Sequence, residues 1–588
     1  MSENPSIEKQ QLPHKPQKSG ASGTSGASNA PGTHETPGTP GETPPKKTLF
    51  TRFLDFVEWL GNLLPHPVTL FAIFALGVVL ISGLAEWLEW SAADPRPEGA
   101  KGRAPDGIIR PVSLLNAEGL RMMVTGLVSN FTGFAPLGVV LVALLGVGVA
   151  EHSGLISAVI RGIVLKAASF QPKSGGRFQN VISAAVNPKN LVTVAICFAA
   201  VVSNTASEMG YVVLVPLSAV IFHSMGRHPL AGLACAFACV SGGYSANVLL
   251  GTIDPLLAGL TQEAAQIIDP DYIVVATANY YFMFVSTFLI TATGAFVTLK
   301  IVEPKLGKYD ESMAMEDLSN EVSMDPLSPK EIRALKFTGI AVLLMFAVLA
   351  LTIVPQDGIL RNPETGDWKN SPFLRGIVTF IFICFLIPGF VYGRLTGTMK
   401  NDRDIIKGMA GAMSTLGLYI VIVFFAAQFV AYFGWSNLGQ IFAVKGAEFL
   451  QSFGATGPVI FIGFILVSGS INLMLGSASA QWAVTAPIFV PMLMLIGYTP
   501  EIIQAAYRIG DSVTNIITPM MSYFGLILAF ANKYDKDLGI GTIISMMLPY
   551  SIFFMIGWIA LFYITIFGLG MPVGPGEEIY YIMDSLPN

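Results

Sequence analysis

Residues 481–519 read QWAVTAPIFVPMLMLIGYTPEIIQAAYRIGDSVTNIITP. This strongly apolar stretch carries Arg508 and Asp511 three residues apart, then Asn515 and Pro519. The spacing i, i+3, i+7, i+11 places all four on one face of a helix. Ionisable groups inside a membrane segment cost ~2.5–3.5 kcal/mol each on insertion scales, so they face a cavity or a partner. Arg508 and Asp511 are helical neighbours able to neutralise each other. Pro519 has no N–H to give the Asn515 carbonyl, which leaves that oxygen for a cation or a ligand donor. The stretch reads either as a binding site or as a structural ion pair beside a proline kink.

The rest of the chain supplies the membrane. Of 588 residues, 52% are hydrophobic and 12% charged, against about 25% charged in soluble domains. A spanning helix needs ~20 apolar residues. Such runs recur at Val68–Ala85, Met122–Ala150, Asn279–Leu299, Phe337–Val354, Gly376–Tyr392, Met409–Ser436 and Leu538–Pro572. Residues 1–47 are rich in Gly, Ser, Thr and Pro, a composition expected to stay disordered, here on the cytoplasmic side. Residues 48–572 form the transmembrane domain, and 573–588 a short periplasmic tail. The four cysteines sit in apolar segments without metal-ligand spacing and read as packing residues. A net charge of −5 without a basic tract speaks against nucleic acid as a partner. No metalloprotease, P-loop or nucleophile-elbow motif is present, so an enzyme is not expected and no organic cofactor is implied.

Basic residues mark cytoplasmic loops. Between His152 and Asn190 the charges are Arg161, Lys166, Lys173, Arg177 and Lys189, which puts this loop inside. Asp254–Ala278 holds only acids and is expected outside, as is the C-terminal tail.

Two regions, about 189–254 and 457–533, do not read as simple spans. Overlaid at an offset of 271 residues, they match at Pro216/Pro487, Gly226/Gly497, Pro229/Pro500, Ala234/Ala505 and Ser241/Ser512, and Tyr211 falls on Trp482. One copy follows an inside loop and the other an outside loop, so the repeat is inverted. Each copy has a pair of short apolar segments turning at small polar residues, followed by an interrupted segment, SGGYSAN at 241–247 and RIGDSVTNIITP at 508–519. These predict two re-entrant hairpins and two broken helices, the sequence pointer to a midplane site in a secondary transporter. With seven plain spans and one crossing per copy, the expected fold is an all-α polytopic membrane protein of about nine transmembrane helices plus the hairpins.

Candidate residues follow from that frame. The second hairpin offers Asn472, Ser477, Ser479, Gln481 and Trp482, whose ring could face an aromatic ligand. The first offers Asn204, Ser207 and Glu208, with Asn247 in its broken helix. Glu208 reads as a proton carrier or as a loop glutamate near the surface. Gln428 reads as a helix-packing hydrogen bonder, and His223 and His228 as interfacial.

The stretches at 203–247, YIVIVFFAAQFVAYFGWSNLG at 419–439, GSASAQWAVTAPIFVPMLM at 476–494 and AAYRIGDSVTNIITPMMSYF at 505–524 resemble the p-aminobenzoyl-glutamate transporter (AbgT) family. The likeness runs over roughly residues 52–570. It implies a homodimeric transporter of the bacterial inner membrane, handling p-aminobenzoyl-glutamate or related aromatic carboxylates, or exporting p-aminobenzoic acid and sulfonamides. It carries substrate roles to Asn472, Ser479, Trp482, Pro500, Arg508, Asp511 and Pro519. Glu208 stands where the family commonly has aspartate. The coupling ion, Na+ or H+, is expected at Asp511 and Asn472 with Asn515, Glu208, Asn204 and Asn247. A passive channel and an intramembrane enzyme are the remaining alternatives.

Overall fold

The computed structural model describes residues 65–582 apart from 100–102, 169–187, 207–209, 316–326, 368–370, 455–456 and 576–577. The tail at 1–47, Ser207 and Glu208 lie outside the described residues. The helices are α1 (Pro67–Trp87), α2 (Ala117–Gly133), α3 (Ala135–His152), α4 (Leu155–Ala168), α5 (Pro188–Ser203), α6 (Val215–Ser224), α7 (Pro229–Ser241), α8 (Ile253–Ala265) and α9 (Tyr280–Val297). They continue with α10 (Pro329–Ile353), α11 (Ile377–Thr396), α12 (Asp402–Thr415), α13 (Gly417–Trp435), α14 (Leu438–Ser452), α15 (Ile460–Leu475), α16 (Ala478–Met494), α17 (Pro500–Thr514), α18 (Phe524–Asn532) and α19 (Ile540–Phe562). Proline stands in the first turn of α1, α3, α7, α10 and α17, where a missing N–H costs nothing. A two-residue antiparallel ribbon, Ala92–Ala93 with Ile108–Ile109, is a small departure from the all-α expectation.

Among the described residues, seven helices are long and apolar enough to cross a membrane: α1, α2 with α3, α9 extended to Leu306, α10, α11, α13, and α19 extended to Gly568. They fall on the seven runs expected from hydropathy, with two differences. The run from Met122 is part of a 36-residue stretch, too long for one ~30 Å crossing at 1.5 Å per residue. It breaks at Phe134, whose ψ of 112° is extended, and Pro136 opens the second piece. The run from Met409 also divides: α12 ends at Thr415 and α13 alone is the crossing piece.

Both hairpins and both broken helices form. The first hairpin is α5 and α6, the second α15 and α16, and neither arm of the first reaches ~20 residues. The broken helices are α7–α8, interrupted over 242–252, and α17–α18, interrupted over 515–523. Their halves start in register: α17 begins 271 residues after α7, and α18 begins 271 residues after α8. The repeat therefore runs on past residue 254. Asp254, read as part of an outside acidic loop, sits instead in the first turn of a buried helix. Glu263 lies in the same helix and accepts the Ala135 N–H at 3.1 Å, covering the start of α3. Asp269 and Asp271 are the acids of that stretch left beyond the helix.

Burial sorts the elements into two classes. Every residue of α7 and of α17 is buried, whereas α10 buries only Ala334 and Thr338. The interrupted helices thus form the centre, wrapped by the hairpins, while the uninterrupted helices turn apolar faces outward. Contact between α15 and α17 is close where Gly469 meets Gly510: a methyl on Gly510 would stand 2.8 Å from the Gly469 nitrogen. Such small-residue contacts let membrane helices pack without a hydrophobic drive.

Candidate functional site

Each hairpin tip is fastened to the break of its own half by one asparagine. Asn204 ends α5, and its Nδ2 donates to the carbonyls of Val240 (3.0 Å) and Gly243 (3.3 Å). Asn472, in the last turn of α15, turns Nδ2 toward the Asp511 carbonyl (2.8 Å), Thr514 Oγ1 (2.9 Å) and Asn515 Oδ1 (2.8 Å). Val240 and Asp511 are repeat mates at the 271 offset, as are Gly243 and Thr514. The inverted symmetry expected from proline and glycine spacing therefore extends to one matched acceptor, the Val240 and Asp511 carbonyls, although the asparagines that bond them are not themselves mates at that offset.

This geometry fixes both amides. Flipping Asn204 would set its oxygen against two carbonyls, and flipping Asn472 would set oxygen against Asp511 O and Asn515 Oδ1. In each case Oδ1 is therefore directed away from the break, and in both residues it is buried without a hydrogen-bond partner. Asp511 Oδ1 and Gln481 Oε1 are in the same condition. A buried acceptor left unsatisfied costs about 1–3 kcal/mol. A hard cation is the kind of ligand that satisfies such oxygen acceptors. Among the described residues no group of three or more His, Cys, Asp or Glu side chains that could hold a metal ion gathers. One difference between the halves bears on charge: the second carries the Asp511 carboxylate where the first has Val240.

The tip of the second hairpin is made by Gly476 at φ +58°, held by its N–H to the Asn472 carbonyl at 3.0 Å. A side chain there would also strike the Met520 carbonyl at 2.6 Å, in the break. Ser477 precedes α16, and Ser479 lies half-buried in its first turn. Thr518 Oγ1 donates to the Leu473 carbonyl at 2.8 Å, a further tie between tip and break.

Several expected residues are placed otherwise. Arg508 does not pair with Asp511; its Nη2 donates to Asp254 Oδ1 at 2.5 Å, with both side chains almost wholly buried. The helix ends at Thr514, so Asn515 caps it and Pro519 lies in the non-helical break, not on the Arg508 face of a continuous helix. Trp482 offers no open ring face. It is fully buried, stacks on Tyr507 with centroids 4.2 Å apart, and donates Nε1 to Thr261 Oγ1 at 2.9 Å. Pro500 opens α17, about 16 Å from Asp511 along the helix axis. Asn247 is buried in the first break, its Oδ1 accepting from Thr205 Oγ1 at 2.9 Å and from the Val248 N–H at 2.9 Å. Gln428 bridges α13 to α2 through the Leu127 carbonyl (3.0 Å) and Asn130 (2.9 Å), the packing role expected of it.

Sequence reasoning missed a polar seam between the two halves. From Trp482 the chain of donors runs to Thr261 Oγ1, on to Gln504 Oε1 (2.6 Å), from Gln504 Nε2 to Asn279 Oδ1 (2.8 Å), and from Asn279 Nδ2 to the Glu501 carbonyl (2.7 Å). Tyr272 closes the end by donating to Glu501 Oε2 at 2.9 Å. Glu501, Gln504, Arg508, Asp511 and Asn515 follow the spacing i, i+3, i+7, i+10, i+14, so the polar face of α17 is longer than its four most conspicuous residues. That periodicity was the available signal.

A family model for the AbgT transporters matches residues 52–581. The p-aminobenzoyl-glutamate transport protein of Escherichia coli (strain K12) is 34% identical over 533 residues, covering 90% of this chain and 98% of that protein. Among solved structures, Neisseria gonorrhoeae MtrF, described as illuminating a class of antimetabolite efflux pumps, is 61% identical with a TM-score of 0.81, over 89% of this chain and 100% of that one. The YdaH transporter of Alcanivorax borkumensis is 44% identical with a TM-score of 0.76, over 87% of this chain and 100% of that one.

Proposed function

The chain belongs to the AbgT family of multi-pass membrane transporters, and from that premise we propose that it is an ion-coupled secondary transporter of p-aminobenzoyl-glutamate or related aromatic carboxylates. The observation that carries the reading is the contact between the second hairpin tip and its break, where Asn472 bonds the Asp511 carbonyl and both Asn472 Oδ1 and Asp511 Oδ1 are buried without a hydrogen-bond partner. Two unsatisfied oxygens on adjoining residues, one of them a carboxylate's, suit a cation. Asp511 and Asn472, with the oxygens of the break near Asn515, take the coupling ion. Arg508 meets a substrate carboxylate, and Ser479 at the start of α16 faces the same region.

The substrate named for the E. coli relative supports transport of p-aminobenzoyl-glutamate. The higher identity to MtrF supports a second reading, proton-driven efflux of p-aminobenzoic acid and sulfonamides. Either reading places a homodimer in the bacterial inner membrane, with the N-terminus cytoplasmic and the C-terminus periplasmic. Radiolabelled p-aminobenzoyl-glutamate and p-aminobenzoate flux in proteoliposomes, under separate sodium and proton gradients, is the test. Flux driven by one gradient and abolished in Asp511→Asn, with protein yield unchanged, is the expected result. Gradient-driven flux that survives Asp511→Asn ends the assignment of Asp511, and no flux of either compound ends the substrate assignment.

A further inference from the structure

The Asp254–Arg508 pair joins the two inverted halves, and its Asp254 has no part in the reading above. Arg508 keeps its positive charge under all ordinary conditions, and a buried charge needs a counter-charge. The nearest in sequence, Asp511, is not used. The partner comes from α8, 254 residues earlier. Yet the guanidinium is incompletely satisfied: Nη2 donates to Asp254 Oδ1, while Nε is buried and donates to no acceptor. A guanidinium is built to grip a carboxylate with two parallel N–H donors, and one of those positions is open here.

The two partners are unequal in what separation would cost them. Asp254 lies in the first turn of α8, where the helix dipole favours an anion. Its Oδ2 also accepts the Gly251 N–H at 2.6 Å. It keeps both supports if Arg508 leaves. Among the described residues Arg508 makes no second hydrogen bond, and the Asp511 carboxylate, one turn on, reaches it only through charge at longer range. The seam from Trp482 to Glu501 meanwhile holds α8 and α17 together without help from the ion pair.

Resting on the carboxylate-transport reading, we infer that Asp254 is an internal stand-in for the substrate carboxylate, occupying Arg508 in the empty carrier and giving it up when an anionic substrate binds. Asp254 then sets substrate affinity without touching substrate, because the free carrier must surrender an existing pair before a new one forms. The exchange also cuts the one charged tie between the two halves described at this depth, so occupancy is reported directly to the α8–α17 contact.

The test is p-aminobenzoyl-glutamate binding to the purified full-length chain, compared with Asp254→Asn and Asp254→Glu. Removing the competing charge in Asp254→Asn should tighten binding by about tenfold or more, whereas Asp254→Glu, which retains a competitor, should stay near the unaltered value. A purely structural role would weaken binding in both. A measurement on the unaltered chain decides the same point if Asp254→Asn does not fold: amide hydrogen exchange over residues 247–258 should rise under saturating p-aminobenzoyl-glutamate. Binding by the unaltered chain with no tightening in a folded Asp254→Asn, or with exchange at 247–258 unchanged or lowered, overturns the inference alone. Absence of p-aminobenzoyl-glutamate binding to the unaltered chain overturns it together with the functional reading.

Discussion

Replacing Asn472 with alanine separates the two things its amide does. On the donor side, three acceptors lose Nδ2. The Asp511 carbonyl retains Thr514 Oγ1 at 3.2 Å and the Asn515 N–H at 3.3 Å, and the Thr514 hydroxyl retains its bond to the Gly510 carbonyl at 2.8 Å. Asn515 Oδ1 is left with the uncompensated loss, so the expected destabilisation is that of one buried unsatisfied acceptor, about 1–3 kcal/mol. On the acceptor side, Oδ1 is already without a protein donor, and its removal matters only if a cation sits on it. A cation bound to the folded chain stabilises it by RT ln(1 + [L]/Kd), about 2.7 kcal/mol at a hundredfold excess over Kd. Unfolding of the detergent-solubilised protein in sodium chloride and in choline chloride at matched ionic strength distinguishes the effects. Asn472→Ala should be less stable in both salts and should also lose the increment specific to sodium. An increment of undiminished size in the variant, or an unaltered chain indifferent to sodium, would refute the placement of sodium at Asn472.

Other substitutions follow from the same geometry. Arg508→Lys keeps the charge but loses the planar fork, so p-aminobenzoyl-glutamate affinity should fall about tenfold or more; equal affinity by equilibrium binding would remove Arg508 from the substrate site. Trp482→Phe keeps the stack on Tyr507 but deletes the Nε1 donor to Thr261, which still bonds Gln504. Stability should drop by about 1 kcal/mol with the substrate KM for flux little changed, and a large rise in KM would restore a direct ligand contact for Trp482. In the loop after α1, burial raises the Asp94 carboxyl pKa, but hydrogen bonds from Arg96 and the charges of Arg96 and Arg103 outweigh it, and the net shift is downward. A carboxyl depressed on folding contributes stability above its unfolded pKa and loses it as pH falls through the folded one. Asp94→Asn should therefore be less stable than the unaltered chain at neutral pH, with the gap closing as pH drops below about 4. A gap independent of pH in urea or thermal titrations would contradict the ion-pair account.

Hydropathy located the spans because lipid imposes one simple demand on composition, and the inverted repeat was readable because Pro and Gly at matched offsets mark helix starts and turns. What the chain's order did not disclose was pairing. Arg508 and Asp511 are neighbours in the sequence, so local reasoning joined them, yet the arginine is neutralised by Asp254 from the other half of the repeat. Asp254 was assigned to a loop because acids without nearby bases look solvent-exposed, and only the register of α8 with α18 shows it to be helical. Trp482 was expected to offer its ring for a similar reason: nothing in its own hairpin covers it, and the ring that does, Tyr507, lies on α17. Pro519 is beyond the helix end, which comes at Thr514, where Asn472 bonds the Asp511 carbonyl and the Thr514 and Asn515 side chains. In each case a contact between segments far apart in the chain overrode a local rule, and the asparagines at the tips were legible as polar residues in apolar surroundings but not as clasps.

Those clasps have a mechanical meaning. A hairpin whose tip could swing freely would act as a flap, opening the binding region while the rest of the molecule stood still. Here each tip is bolted to the unwound stretch of its own half, through Asn204 on one side and through Asn472 and Thr518 on the other. A flap movement would have to tear several buried hydrogen bonds at once. The easier displacement carries hairpin and interrupted helix together as one block. Sliding then falls to the faces of that block that lack polar fastenings, so the bearing of the machine is its apolar periphery rather than its tips.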